Sequence, residues 1–371
     1  MQRWNGWGDD SIHQELPLKG RDLLTEWIGK GHPWQNHPIE ELLAREAKSR
    51  LPQHPLISVD PKLRLVHAHG QSMPDWIRMR GGMLDRFPDG VAKPATREDL
   101  EALVQFAAAE NIVVIPYGGG TSVVGHLEVP EIDKPVLSLS FEHLNRMVDI
   151  DTGSLLATFE AGIRGPALEA HLNKRGFTLG HYPQSFEYST LGGWVATRSS
   201  GQQSRHYGRI EQLFAGGELL TSRGSLQLPP YPASAAGPDL RHLVLGSEGR
   251  MGVLTKIVVR ISPLPPKDDI YAVFFPSWDN GKQAVQALAA SGTRFSMVRL
   301  SNPTETATTL ALAGHDREIA WLNRYLYFRG ISQPDACMCL VGFTGSRKQV
   351  TAARSETFSI FRPFKGVAVG T

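Results

Sequence analysis

Three stretches of the chain carry residue types suited to an anionic, hydroxyl-rich ligand. The first runs Pro116-Tyr117-Gly118-Gly119-Gly120-Thr121-Ser122 and continues through Val-Val-Gly125. Three consecutive glycines remove every Cβ and permit positive φ. Successive backbone N–H groups can then converge on one anion, with the Thr121 and Ser122 hydroxyls as further donors. A pyrophosphate suits such a loop. No Gly-Lys-Ser/Thr follows, so it is not a Walker loop, and it is not G-x-G-x-x-G opening a helix. Read alone, it is also compatible with a plain glycine turn closing a strand.

The second stretch is Gln184-Ser185-Phe186-Glu187-Tyr188-Ser189-Thr190, then Gly192-Gly193, then Thr197-Arg198-Ser199-Ser200. It is too rich in hydroxyls and glycines to be built for burial in a core. Its hydroxyls suit a phosphate, a sugar-alcohol chain or a ring edge, and Arg198 offers a counter-charge. An ordered surface loop is the competing reading. The third is Glu248-Gly249-Arg250-Met251-Gly252-Val253-Leu254, a glycine turn feeding a β-branched run, which a structural hairpin would explain equally well.

Elements must position these stretches. Thr96 and Asp99 form a capping box opening a helix over 97–111, with an Ala/Leu/Val/Phe face. The β-branched run 112–116 is a buried strand leading into the glycine loop. Strands are expected over 136–139, 147–149, 155–160 and 254–262, and helices over 22–30, 38–49 and 166–175. Pro263, Pro265 and Pro266 mark a domain exit. A strand over 270–276, a helix over 280–291 and a strand over 295–300 then give a second α+β unit. Residues 367–371 read as a strand entering a turn, and the fold is expected to continue past them.

Composition narrows the class. The chain has 371 residues, 41% hydrophobic and 20% charged, with a formal charge of +2. That suits a globular protein of two or three domains and argues against a nucleic-acid surface. The two cysteines, Cys337 and Cys339, are too close for an easy disulfide and too few for structural zinc. A reduced, cytoplasmic setting is expected, with no bound metal, no membrane span and no export signal.

In order, these motifs resemble the FAD-binding domain of the vanillyl-alcohol-oxidase (PCMH) type, and within it the alkyldihydroxyacetonephosphate synthase family. Arg3–Asp9 (Arg-Trp-Asn-Gly-Trp-Gly-Asp) and Arg86–Val91 (Arg-Phe-Pro-Asp-Gly-Val) add to the likeness, which runs from about residue 3 to 300 and is weaker beyond. It implies an α+β chain with a helical segment over 1–85, a two-part FAD-binding domain over 86–265 and a partial cap domain over 266–371. Pro116–Ser122 would cradle the FAD pyrophosphate. Gln184–Thr190 and Thr197–Ser200 would line the flavin and its ribityl chain, and Glu248–Leu254 would close over the adenosine. Gln184 stands where the family commonly has Asp. No His or Cys falls in the glycine loop, and His126 reads as a polar loop residue, so the FAD is expected to be non-covalent.

The family replaces the acyl group of acyl-dihydroxyacetone phosphate with a long-chain alcohol, in ether-lipid synthesis. Ala233 stands where its arginine is expected before Gly237-Pro238-Asp239, and its tyrosine and histidine run have no counterpart up to Thr371. The resemblance thus implies an enzyme family without assigning this chain its catalytic residues. Arg299 and His181 are the candidates, with a strand-edge cation and a packed loop residue as the competing readings. An FAD-dependent D-2-hydroxyacid dehydrogenase, a non-catalytic half of a split enzyme and a fragment of a longer protein are the alternatives. A small, lipid-like substrate is implied, with at most peripheral membrane contact through Trp4, Trp7, Trp27 or Trp34; a homodimer is compatible.

Overall fold

The computed structural model describes residues 3–12, 15–32, 35–45 and 47–370. The chain divides into two units, one built from 1–12, 34–201 and 208–263, the other from 13–33, 202–207 and 264–371. Trp34 lies outside the described residues.

The first unit holds two main sheets. In one, the strands run in the order Ile57–Ser58, Gly90–Ala92, Val136–Ser140, Val113–Tyr117, and the last three are parallel. Val136–Ser140 sits between two parallel neighbours and is buried throughout, as such strands are. Helix Arg97–Ala109 links two of these strands. Its capping box is formed as expected: Asp99 N–H donates to Thr96 Oγ1 at 3.0 Å, and Thr96 N–H to Asp99 Oδ2 at 3.1 Å. Leu100, Leu103, Val104 and Ala107 form its buried face. Strand Val113–Tyr117 begins and ends one residue later than the β-branched run implied, so Tyr117 belongs to the sheet.

The other sheet is antiparallel, in the order Met147–Asp151, Leu156–Glu160, Val253–Arg260, Phe214–Thr221, Gly224–Leu228. Its core is continuous with that of helix Arg97–Ala109. The helix expected over 38–49 spans only Ile39–Ala44. Beyond it, Arg50 N–H donates to Asp89 Oδ1 at 3.0 Å, a tertiary bond that draws the backbone away from helical pairing. Trp4 packs beside Leu42, Leu65 and Met79, and Trp7 meets the Tyr188 ring edge-on at 5.3 Å.

In the second unit the sheet order is Met297–Leu300, Cys337–Gly345, Lys267–Phe275, Val367–Ala368, each antiparallel to its neighbour. The expected strand–helix–strand is present as Lys267–Phe275, Trp278–Ala290 and Met297–Leu300, with Cys337–Gly345 inserted between its strands. One sheet face packs on helices Trp278–Ala290 and Arg347–Phe361. The other packs on Pro303–Leu312 and Asp316–Phe328. Cys337 and Cys339 are two apart on a strand, so their side chains share a face. Both are buried in the core, where desolvation pushes the thiols up to about 11 and about 12. Trp27, in helix Leu18–Ile28, is exposed in this unit. No helix among the described residues is long and apolar enough to cross a membrane.

Candidate functional site

The three ligand-suited stretches meet in the first unit around one cavity of about 580 Å³. Strand Val113–Tyr117 delivers the glycine loop to it. A Cβ on Gly118 would lie 2.4 Å from Thr190 Oγ1, and one on Gly119 would lie 1.9 Å from the Tyr188 carbonyl oxygen. Gly120 has φ +68° and would meet the Tyr117 hydroxyl at 2.0 Å. The glycines therefore let the first stretch lie directly against the second.

Among the described residues, the backbone N–H groups of Gly118–Ser122 donate to no protein acceptor. Five consecutive donors on residues that line a cavity, left unpaired by the fold, would be costly without water or a polar guest. An anion of the size of a diphosphate fits that donor set. Of the two carboxylates at the wall, Glu128 pairs with Arg78, and Glu248 Oε2 stands 3.9 Å from His126 Nδ1. Arg250 also lines the cavity. The residues present thus fit a dinucleotide such as FAD.

Hydroxyls in the second stretch shape the wall. Ser189 Oγ donates to the Ser185 carbonyl at 2.8 Å and accepts from Trp194 Nε1 at 2.7 Å. Thr190 caps helix Leu191–Thr197 by accepting from Gly193 N–H at 3.3 Å. Thr197 Oγ1 donates to the Gly193 carbonyl at 2.8 Å. Ser199 Oγ lies 2.7 Å from His181 Nε2. His181 is buried, its Nδ1 has no partner, and desolvation holds it down at about 4, so it is neutral at pH 7. It meets the cavity through Ser199 and does not itself line it.

In the third stretch, Glu248 takes φ +52° and donates its N–H to the Ala196 carbonyl at 2.9 Å. This joins the turn to the second stretch. Gly249, at φ +80°, packs on Pro116 of the first.

The cavity wall includes Pro116 and Gly118–Ser122 from the first stretch, Ser185, Ser189, Thr190, Thr197 and Ser199 from the second, and Glu248, Gly249, Arg250, Gly252, Val253 and Leu254 from the third. The structure places the other expected residues outside that wall. Tyr117 points into the core, where burial raises its phenol well above the usual range. Phe186 fills the space above Gly165 beside Tyr182, and Tyr188 packs on Trp7. Gln184, Glu187 and Ser200 are exposed, and Met251 is half-exposed. Arg198 takes φ +51° and donates Nε–H to the Leu245 carbonyl at 3.1 Å. Arg299 belongs to the second unit, where it pairs with Glu305.

Some wall residues carried no ligand signal in the sequence, His126 and Glu128 among them. These two reach the cavity because the chain turns at Gly125, φ +78°. The glycine at that place was the one available hint. Among the described residues, no group of three or more His, Cys, Asp or Glu could hold a metal ion.

Comparison with known proteins places this geometry. Residues 88–228 match the family described as FAD binding domain, and residues 264–371 match FAD linked oxidases, C-terminal domain. The chain is 35% identical over 319 residues to an alkyldihydroxyacetonephosphate synthase of Dictyostelium discoideum, covering 84% of this chain and 52% of that protein. It is 31% identical over 409 aligned positions to the enzyme of the same name from Trypanosoma brucei brucei, covering 100% of this chain and 66% of that protein. The chain thus spans between about half and two-thirds of these relatives. A solved structure of an alkyldihydroxyacetonephosphate synthase superposes with a TM-score of 0.88 at 30% identity, over 100% of this chain and 74% of the other.

Proposed function

The chain belongs to the alkyldihydroxyacetonephosphate synthase family of FAD-linked oxidases, and from that membership we propose that it exchanges the acyl group of acyl-dihydroxyacetone phosphate for a long-chain alcohol, with FAD held non-covalently in the three-loop cavity. The observation that carries the reading is the convergence of the three stretches on a row of five unpaired N–H donors. FAD is the cofactor of the family; when bound it supplies an electrophilic, redox-active ring.

The protein's own residues do the holding. The N–H groups of Gly118–Ser122 bind the diphosphate, and the Thr121 side chain adds a hydroxyl at the same wall. Ser189 braces the opposing wall through its bonds to the Ser185 carbonyl and to Trp194 Nε1, and Thr190 through its cap on Gly193 N–H. His181 orients the Ser199 hydroxyl at the cavity wall without bringing charge to it. Phe141, Trp194, Val253 and Leu254 supply the apolar lining that keeps water from the inner part. With no histidine or cysteine in the glycine loop, the cofactor is held by these contacts alone.

The proposal includes the division into a helical segment over 1–85, an FAD-binding domain over 86–265 and a cap domain over 266–371. The substrate is lipid-like, and Arg299, paired with Glu305, stays a candidate catalytic cation. The test is to incubate FAD-loaded protein with acyl-dihydroxyacetone phosphate and a labelled long-chain alcohol. Labelled ether product with stoichiometric release of fatty acid supports the reading. Neither product, from protein shown to carry FAD, refutes it.

A further inference from the structure

The segment Val66–Gln71 precedes the residues matched to the FAD binding domain family, which begin at 88, yet it runs behind the glycine loop and grips it at both ends. The Tyr117 hydroxyl donates to the Val66 carbonyl at 3.2 Å, and Gln71 N–H donates to the Ser122 carbonyl at 2.6 Å. Between these bonds Gly70 lies against the loop, where a Cβ would stand 2.3 Å from the Ser122 oxygen. The Tyr117 hydroxyl occupies the space beneath Gly120, and the His67 ring lies 4.2 Å from the Tyr117 ring.

The segment is itself anchored. His69 Nδ1 donates to the Gly70 carbonyl at 2.8 Å, and Trp76 Nε1 donates to Gln71 Oε1 at 2.7 Å. Ser72 and Asp75 form a capping box that opens helix Met73–Arg80 directly after it. Gly70, Gln71 and Tyr117 do not line the cavity.

A loop with three glycines loses much conformational freedom when it closes on a ligand. Ordering it beforehand removes that cost from binding. We infer that Val66–Gln71 is a positioning element of the flavin-nucleotide site: it pre-organises the N–H groups of Gly118–Ser122 for the diphosphate, so the N-terminal segment is part of the cofactor-binding apparatus. This rests on the reading of the cavity as the FAD site.

The test uses full-length protein stripped of flavin, with FAD affinity read by fluorescence titration well below the melting midpoint of each apoprotein. Tyr117→Phe removes one of the two bonds and should weaken FAD binding about fivefold. Gly70→Ala pushes the Ser122 carbonyl aside and should weaken it about tenfold or more. Thr96→Ala, a helix cap away from the loop, should lower the melting midpoint but leave the FAD Kd within twofold, which separates positioning from general stability. If Gly70→Ala does not fold, Tyr117→Phe decides. Wild-type binding with a variant Kd within twofold of it overturns the inference. Failure of the wild type to bind FAD instead overturns the reading of the cavity.

Discussion

Gly119 offers the sharpest single-residue test of the cradle. A methyl group there would stand 1.9 Å from the Tyr188 carbonyl oxygen, 2.8 Å from its carbonyl carbon and 3.0 Å from Ser189 Cα. All three are backbone atoms, so no side chain can swing away. Relief requires the glycine loop and the Tyr188–Ser189 strand of chain to part by about 1 Å. Overpacking of this kind costs roughly 1–3 kcal/mol. The displaced atoms belong to two walls of one cavity, so a shift of that energy in the binding-competent state corresponds to about a 5- to 150-fold rise in Kd. The assay is titration of the apoprotein with FAD, alongside circular dichroism to establish folding. Gly31→Ala is the control, since a Cβ there meets nothing within 4 Å. A folded Gly119→Ala protein that binds FAD within twofold of wild type would mean that this contact does not shape the FAD site.

Acidification below pH 6.5 should destabilise the protein through its buried histidines. His67 and His181 are held at about 4 by burial, against an ordinary 6.5, so between those values the unfolded chain binds protons that the folded one refuses. Stability is complete above pH 6.5 and falls as pH drops toward 4, by at most roughly 3 kcal/mol for each histidine; melting curves across that window should show the fall, and His67→Asn should lessen it. Arg97→Ala should destabilise the first unit by roughly 2–3 kcal/mol, because Glu218, buried and bonded to Arg97 Nη2 at 2.9 Å and Thr255 Oγ1 at 2.7 Å, would lose its cation. Urea unfolding measures this, and restoring stability with a second change, Glu218→Gln, checks the cause. Cys337 and Cys339 should resist alkylation at pH 8 in the native state and react fully in denaturant, as buried thiols held above 10 do.

Much of the site was legible from three glycine- and hydroxyl-rich stretches taken together, although each alone also fits an ordinary turn or loop. Gly118–Gly120 break a β-branched strand at the place where hydroxyls follow, and the Thr96 capping box and the alternation over 254–262 locate the elements that carry the loops. Side-chain direction was not legible. Tyr117, Phe186 and Tyr188 lie inside contiguous motifs, yet they fill gaps between elements that meet only in three dimensions. His126 and Glu128 enter the cavity for the converse reason, through a chain reversal with no periodic signal. In the second unit, the spacing of Cys337 and Cys339 was weighed only against a disulfide and a zinc site, whereas it is that of a strand with one face in a core. That strand separates the two arms of the expected strand–helix–strand, an insertion that local patterns do not encode.

Whether FAD sits dissociably in this cavity is tested most directly by the colour of the purified protein before and after acid precipitation. A flavin spectrum is expected, present on purification or gained on adding FAD, which passes wholly into the supernatant as intact FAD in a one-to-one ratio with the chain. Yellow colour remaining on the pellet would contradict non-covalent binding. A protein that is colourless and stays so with excess FAD would contradict the assignment of the three-loop cavity itself.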